Sequence, residues 1–146
     1  MAGFVTFMFA SSFIIRYKEA YAMKVLCVER DIFQLGDMKR TVERIVPDAH
    51  VFACRSPSKA AALAEAEGCD ILLTGIDMGA ARNEGITLAQ KVQKLNPRVN
   101  IIFVTVCEEW ENARELVRLR PSGYVRKPYE TQQLAAAFQN LLYAAV

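Results

Sequence analysis

From Lys24 onward, short apolar runs alternate with longer stretches whose apolar positions recur every three to four residues. Val25-Leu26-Cys27-Val28 contains no polar position, as a strand buried on both faces requires, and Phe33, Met38, Val42 and Ile45 then fall on one helical side. His50 to Cys54 is predicted as a second strand. Ser56-Pro57 opens a helix as N-cap and first-turn proline, leading into an alanine-rich stretch to Glu67. Ile71 to Thr74 forms the third strand. A helix carrying Ile86, Leu88, Ala89, Val92 and Leu95 stops before Asn96-Pro97, and Ile101 to Val104 is a fourth, very apolar strand. Glu108 to Leu119 has a helical face of Trp110, Ala113, Leu116 and Val117. Gly123-Tyr124-Val125 marks a shorter fifth strand, and Glu130 to Tyr143 closes the chain as a helix. Strands alternating with helices imply a doubly wound α/β fold, a parallel sheet covered on both faces, because crossovers are right-handed. No internal repeat, linker or low-complexity tract interrupts the series.

Composition changes this picture at one end. Residues 1–22 hold 15 apolar side chains and four of the eight phenylalanines, with only Arg16, Lys18 and Glu19 charged. The run Gly3 to Ile15 is 13 residues long, short of the ~20 needed to span a bilayer. A secretory signal carries its basic residues ahead of the apolar run, whereas Arg16 and Lys18 follow it, although Ala20-Tyr21-Ala22 weakly resembles a cleavage site. An interfacial anchor lacks the basic face that holds such helices on anionic lipid. Lys18-Glu19-Ala20 can be encoded by a purine-rich ribosome-binding sequence at short spacing from Met23. We therefore expect residues 1–22 to be a non-native leader and residues 23–146 to form the domain.

The full chain has 146 residues, 18 basic and 16 acidic groups and a net charge of +2. That is the size of one ordinary domain with its own core. The basic residues are interspersed with acids, which argues against direct nucleic-acid binding. Arg114, Arg118, Arg120 and Arg126 form a basic fringe, diluted by Glu108, Glu109, Glu111 and Glu115. Cys27, Cys54, Cys69 and Cys107 form no CxxC, and with a single histidine, His50, there is no zinc-type spacing. Isolated cysteines in apolar runs read as small buried hydrophobes in a reducing compartment, which makes the cytoplasm the expected location. Cys107 just past the fourth strand invites a reactive-thiol reading, against which packing is favoured. His50, at the start of the second strand, is expected to be an ordinary surface residue.

In an open α/β sheet, chemistry gathers at the carboxyl ends of the strands near the switch in strand order. Glu29, Arg30 and Asp31 follow the first strand; Gly75, Ile76 and Asp77 the third; Thr105 closes the fourth; and Lys127-Pro128 follows the fifth. Acids, a hydroxyl and a lysine converging on one crevice suit a phosphoryl group with a magnesium ion. Strand one is not followed by a Gly/Ser/Thr loop of the kind that cradles a flavin phosphate.

Four segments carry a family resemblance: Val25-Leu26-Cys27-Val28-Glu29-Arg30-Asp31, Asp70-Ile71-Leu72-Leu73-Thr74-Gly75-Ile76-Asp77-Met78, Phe103-Val104-Thr105 and Ser122-Gly123-Tyr124-Val125-Arg126-Lys127-Pro128. In this order, with 30 residues from Gly75 to Thr105 and 22 from Thr105 to Lys127, the run Met23 to Leu142 resembles the CheY-like receiver domain of two-component response regulators. Several pieces look like receivers attached to LytTR-type DNA-binding domains. The resemblance implies a flavodoxin-like (βα)5 fold with strand order 2-1-3-4-5, and a signalling module, not an enzyme. It further implies a partner such as a histidine kinase or effector, and a homodimer face built from the fourth helix, fifth strand and fifth helix, where Trp110 would be an anchor or a core residue.

The departures are informative. The family's phospho-acceptor aspartate falls on Gly75, which has no nucleophile, and one of its metal-ligating acids falls on Arg30, whose guanidinium would occupy the place of the divalent cation. Glu29 matches the outer acid, and Thr105, Tyr124, Lys127 and Pro128 match the switch and sensor residues. A second register makes Asp77 the acceptor, because Asp77 to Gly85 suits the family's loop. The spacings from Asp70, Thr105 and Lys127 favour Gly75, with the extra length in the loop Gly79 to Glu84. Three functions remain open at this point. The first is a pseudo-receiver with no cofactor, in which Arg30 and Lys127 stand as fixed positive charges among Glu29, Asp31 and Asp77, or in which an unused site has drifted. The second is a phospho-accepting receiver using Asp77, with Mg2+ held by Glu29 and Asp77. The third is a domain that binds a small anion or nucleotide in the vacated crevice.

Overall fold

The computed structural model describes residues 22–78, 82–106 and 113–144. The apolar leader before residue 22, the loop 79–81, and Cys107, Glu108, Glu109, Trp110 and Glu111 lie outside the described residues. Five strands, β1 (Lys24–Val28), β2 (His50–Cys54), β3 (Ile71–Thr74), β4 (Asn100–Thr105) and β5 (Gly123–Arg126), form one sheet in the order β2-β1-β3-β4-β5. Every pairing is parallel. The helices are α1 (Ile32–Ile45), α2 (Pro57–Glu67), α3 (Glu84–Leu95), α4 (Ala113–Leu119) and α5 (Thr131–Ala144). The alternation of apolar runs and helical stripes pointed to a parallel, doubly covered sheet, and the strand order is the flavodoxin-like one that the receiver resemblance implies.

The period of two along each strand divides the core into two layers. Leu26 and Val28 of β1, Leu72 of β3, and Ile101 and Phe103 of β4 face one side, where Ala60 and Ala64 of α2, Leu88, Ala89 and Val92 of α3, and Leu116 of α4 cover them. Val25, Cys27, Ile71, Leu73, Ile102 and Val104 face the other side, under Leu35, Met38 and Val42 of α1 and Leu134 and Phe138 of α5. The central strand β3 is buried along its whole length. A strand with no solvated face favours a continuous apolar run, here Ile71-Leu72-Leu73, and the hydroxyl of the buried Thr74 that ends it is satisfied by donating to Gly75 O at 3.0 Å.

Local chemistry sets the helix ends. Ser56 Oγ accepts the Lys59 N–H at 3.3 Å, with Pro57 at the first helical position, and α2 stops at Gly68, whose positive φ of 83° glycine adopts without a Cβ penalty. Two sequence expectations differ from the structure. Phe33, expected in the core stripe of α1, is 80% exposed, because the first turn of α1 overhangs the end of the sheet and contact with the core begins at Leu35. On α4 the buried positions are Leu116 and Leu119, while Ala113 and Val117 face solvent. His50 is exposed at the start of β2, at the end of the sheet away from the strand carboxyl termini.

Candidate functional site

Strand register decides which side chains meet. Val28 of β1 is level with both Cys54 of β2 and Thr74 of β3, and Thr105 of β4 is level with Arg126 of β5. The residues following each strand therefore converge. Chain order switches direction at β1, with β2 on one side and β3 on the other, so the sheet opens a crevice there. Its volume is 580 Å3, and Glu29, Arg30, Asp31, Gly75, Asp77, Thr105 and Lys127 are all on its walls.

Two bonds that prolong the sheet ladders hold the floor. The Glu29 N–H donates to Cys54 O at 3.1 Å and the Lys127 N–H donates to Thr105 O at 2.9 Å, so both side chains leave rigid backbone. Lys127 Nζ donates to Glu29 Oε1, and the Asp31 N–H donates to Glu29 Oε2 at 3.0 Å. The Glu29 and Lys127 side chains are only 10% and 18% exposed. In this low-dielectric setting the pair is held more strongly than a surface ion pair, and each charge depends on the other for compensation. The Lys127–Pro128 peptide is cis, and Pro128 is exposed beside it.

The other acids have different employment. Asp31 lines the crevice, yet its Oδ1 accepts the Phe33 and Gln34 N–H groups, each at 2.9 Å, as the N-cap of α1. Asp77 is exposed, and its Oδ1 accepts the Asn83 N–H at 2.7 Å across the loop that precedes α3. Gly75 follows β3 directly. A Cβ placed there would lie 3.5 Å from Val104 O and 3.6 Å from Met78 Cγ, ordinary contact distances. Gly85 is a different case, since a Cβ there would come within 1.6 Å of Gly75 O, and its N–H donates to Ile76 O at 2.8 Å. The first turn of α3 thus sits directly against the backbone at the crevice.

Arg30 is exposed on the rim, and among the described residues it makes no ion pair with Glu29, Asp31 or Asp77; Lys127 is the cation that meets Glu29. Tyr124 projects from β5, 50% exposed, its ring stacked on the buried Phe103 at 5.8 Å between centroids and 29° between planes. Tyr129, half-buried behind Lys127, has its phenol pushed up by burial first and by the Glu29 and Asp37 carboxylates next. Arg55 was not among the candidate residues read from the sequence. It follows the end of β2 and donates from Nε to Arg30 O at 3.0 Å. The same rule that singled out residues after the other strands points to it.

Asp77 is the one crevice carboxylate that neither meets Lys127 nor caps α1, which leaves few donors for a divalent cation. Both Glu29 oxygens are engaged by Lys127 and the Asp31 N–H, Asp31 caps a helix, and Gly75 offers no carboxylate. Among the described residues no three His, Cys, Asp or Glu side chains converge as a metal would require.

Residues 25–139 match the response regulator receiver domain family, and the chain belongs to that family. Its fold is shared with a CheY-like receiver domain protein from Methanospirillum hungatei, at 23% identity and a TM-score of 0.74 over 84% of this chain and 95% of that one. A receiver protein from Sinorhizobium medicae aligns at 22% identity and a TM-score of 0.73, over 87% of this chain and 99% of the other. The chemotaxis response regulator CheY4 of Vibrio cholerae does so at 19% identity and 0.70, over 82% and 98%. No curated protein matches the sequence significantly. The chain is thus a receiver domain of two-component signalling, the class whose members act with kinases and effectors. Among the described residues no helix is long and apolar enough to cross a membrane.

Proposed function

We propose that this receiver does not take phosphate at the usual position and signals through protein contacts in a phosphate-independent state. The observation that carries the reading is Gly75. The residue that follows β3 at the floor of the crevice, beside Thr105 and Lys127, has no side chain to attack a phosphoryl donor. The Glu29–Lys127 pair supports it, because the lysine that would meet a phosphoryl group already meets a carboxylate. In this reading the site uses no Mg2+, the chain acts in the cytoplasm, and a kinase, effector or second copy docks on the α4-β5-α5 face, where Val117 and Tyr124 are exposed.

Incubation with acetyl phosphate and magnesium, followed by intact-mass analysis, tests the reading. The expected result is no +80 Da adduct, and no change in melting temperature with beryllofluoride. A stoichiometric adduct mapped to Asp77 overturns it and establishes a phospho-accepting receiver in the other register.

A further inference from the structure

Among the described residues six large hydrophobic side chains are exposed, and three of them, Ile32, Phe33 and Val106, line the one crevice at 58%, 80% and 66% exposure. Isolated exposed apolar residues need no explanation, but their gathering on one concave rim does. Two cations share that rim. Arg55 Nε is committed to the Arg30 carbonyl oxygen, which holds the Arg55 side chain against the Arg30 backbone on the crevice wall and leaves its terminal nitrogens without a protein acceptor among the described residues. Neither guanidinium has an ion-pair partner there. The formal charge of the crevice is balanced, since Glu29, Asp31 and Asp77 oppose Arg30, Arg55 and Lys127. The acids, however, are turned to Lys127 and to backbone N–H groups, whereas the two guanidinium forks are not turned to any acid.

A volume of 580 Å3 lies within the ~300–1,000 Å3 typical of small-molecule sites. Concave walls favour a compact ligand over an extended peptide. Guanidinium forks match the oxygens of phosphate, and an exposed aromatic ring offers a stacking platform for a planar heterocycle. We propose that the crevice reversibly binds a small aromatic organic phosphate of the nucleoside monophosphate class, with its phosphate at Arg30 and Arg55 and its ring against Phe33. The inference rests on the reading of Gly75 as a non-acceptor only in giving the crevice a non-covalent occupant. It is tested without magnesium or a phosphoryl donor, so the two readings fail separately.

AMP, GMP, CMP and UMP, with inorganic phosphate and the parent nucleosides as separate arms, are titrated calorimetrically into the protein in EDTA. At least one nucleotide is expected to bind with a Kd below about 1 mM, and phosphate and nucleoside each at least about tenfold more weakly, since each offers half of the contact. Arg30→Ala, Arg55→Ala and Phe33→Ala should each weaken nucleotide binding by about tenfold, while Arg98→Ala, in the turn between α3 and β4, leaves it unchanged. All four positions are exposed, and an unchanged melting temperature confirms that the variants fold. The proposal is overturned by absence of binding for all four nucleotides at millimolar concentration, by inorganic phosphate binding as tightly as the nucleotide, or by affinity that survives both arginine substitutions.

Discussion

Lys127 reaches across the crevice from the end of β5 to the carboxylate of Glu29 at the end of β1, 98 positions earlier in the chain, and both groups are largely withdrawn from water. The pair joins the two strand ends on either side of β3 and β4, so it is a tie across the sheet as well as a feature of the site. Its Oε2 atom is also anchored by the Asp31 N–H, which places the start of α1 in the same network.

Removing one partner strands the other charge. Glu29→Gln and Lys127→Met are each expected to lower stability by about 2–3 kcal/mol, below the ~3–5 kcal/mol of fully buried pairs because both side chains retain some contact with water. The double variant Glu29→Gln/Lys127→Met should lose less than the sum of the two. Urea unfolding of all four proteins measures this. Additive losses would mean that the two groups do not stabilise each other.

Two glycines at the crevice differ in what they tolerate. A side chain at Gly75 meets only ordinary contacts, so Gly75→Asp should fold with stability within about 1 kcal/mol of the parent. At Gly85 a methyl group would collide with the Gly75 carbonyl, and Gly85→Ala should cost about 3 kcal/mol or more, or force α3 away from the crevice. Thermal unfolding separates the two. Acetyl phosphate labelling of Gly75→Asp then reports whether the nucleophile alone is missing; labelling that also requires Arg30→Asp implicates the guanidinium.

The strands were legible in the chain because burial on both faces leaves a continuous apolar run, and β1, β3 and β4 are of that kind, whereas their order came from the receiver resemblance. Helix boundaries followed from Ser56-Pro57 and Asn96-Pro97 for equally local reasons. What could not be read was pairing over distance. Nothing in the sequence near Glu29 names Lys127 as its partner in place of Arg30. Phe33 was misplaced because periodicity continues into a first turn that overhangs the sheet and has nothing to pack against. Asp31 could have been recognised, since an aspartate directly ahead of the first residue of an amphipathic stretch is an N-cap signal.

That capping role can be measured. Asp31 accepts two backbone N–H groups that have no other partner in the first turn of α1. Asp31→Ala should cost about 1 kcal/mol, and Asp31→Ser or Asp31→Asn should recover most of it. A loss in Asp31→Asn as large as that in Asp31→Ala would show that the charge at the crevice, and not the cap, is what the position supplies.

The buried thiols make stability depend on alkaline pH. Burial pushes Cys27 and Cys69 from 9.0 to about 12, and raises Cys54 and the phenol of Tyr129 as well. A group whose pKa is higher in the folded state holds its proton there after the unfolded chain has lost it. The unfolded state then binds fewer protons, so the stability is fully present below about pH 9 and falls as pH rises toward 12. Each thiol contributes a slope of up to about 1.4 kcal/mol per pH unit within that window. Chemical unfolding at a series of pH values from neutral to 11 should show this decline, made shallower by Cys27→Ala or Cys69→Ala even though either variant is less stable at pH 7. An unchanged slope in both variants would place the alkaline transition on Tyr129 or Cys54 instead. The same burial predicts that, in the native protein at pH 8, Cys27 and Cys69 resist iodoacetamide while remaining reactive after denaturation, because the thiolate is the attacking species.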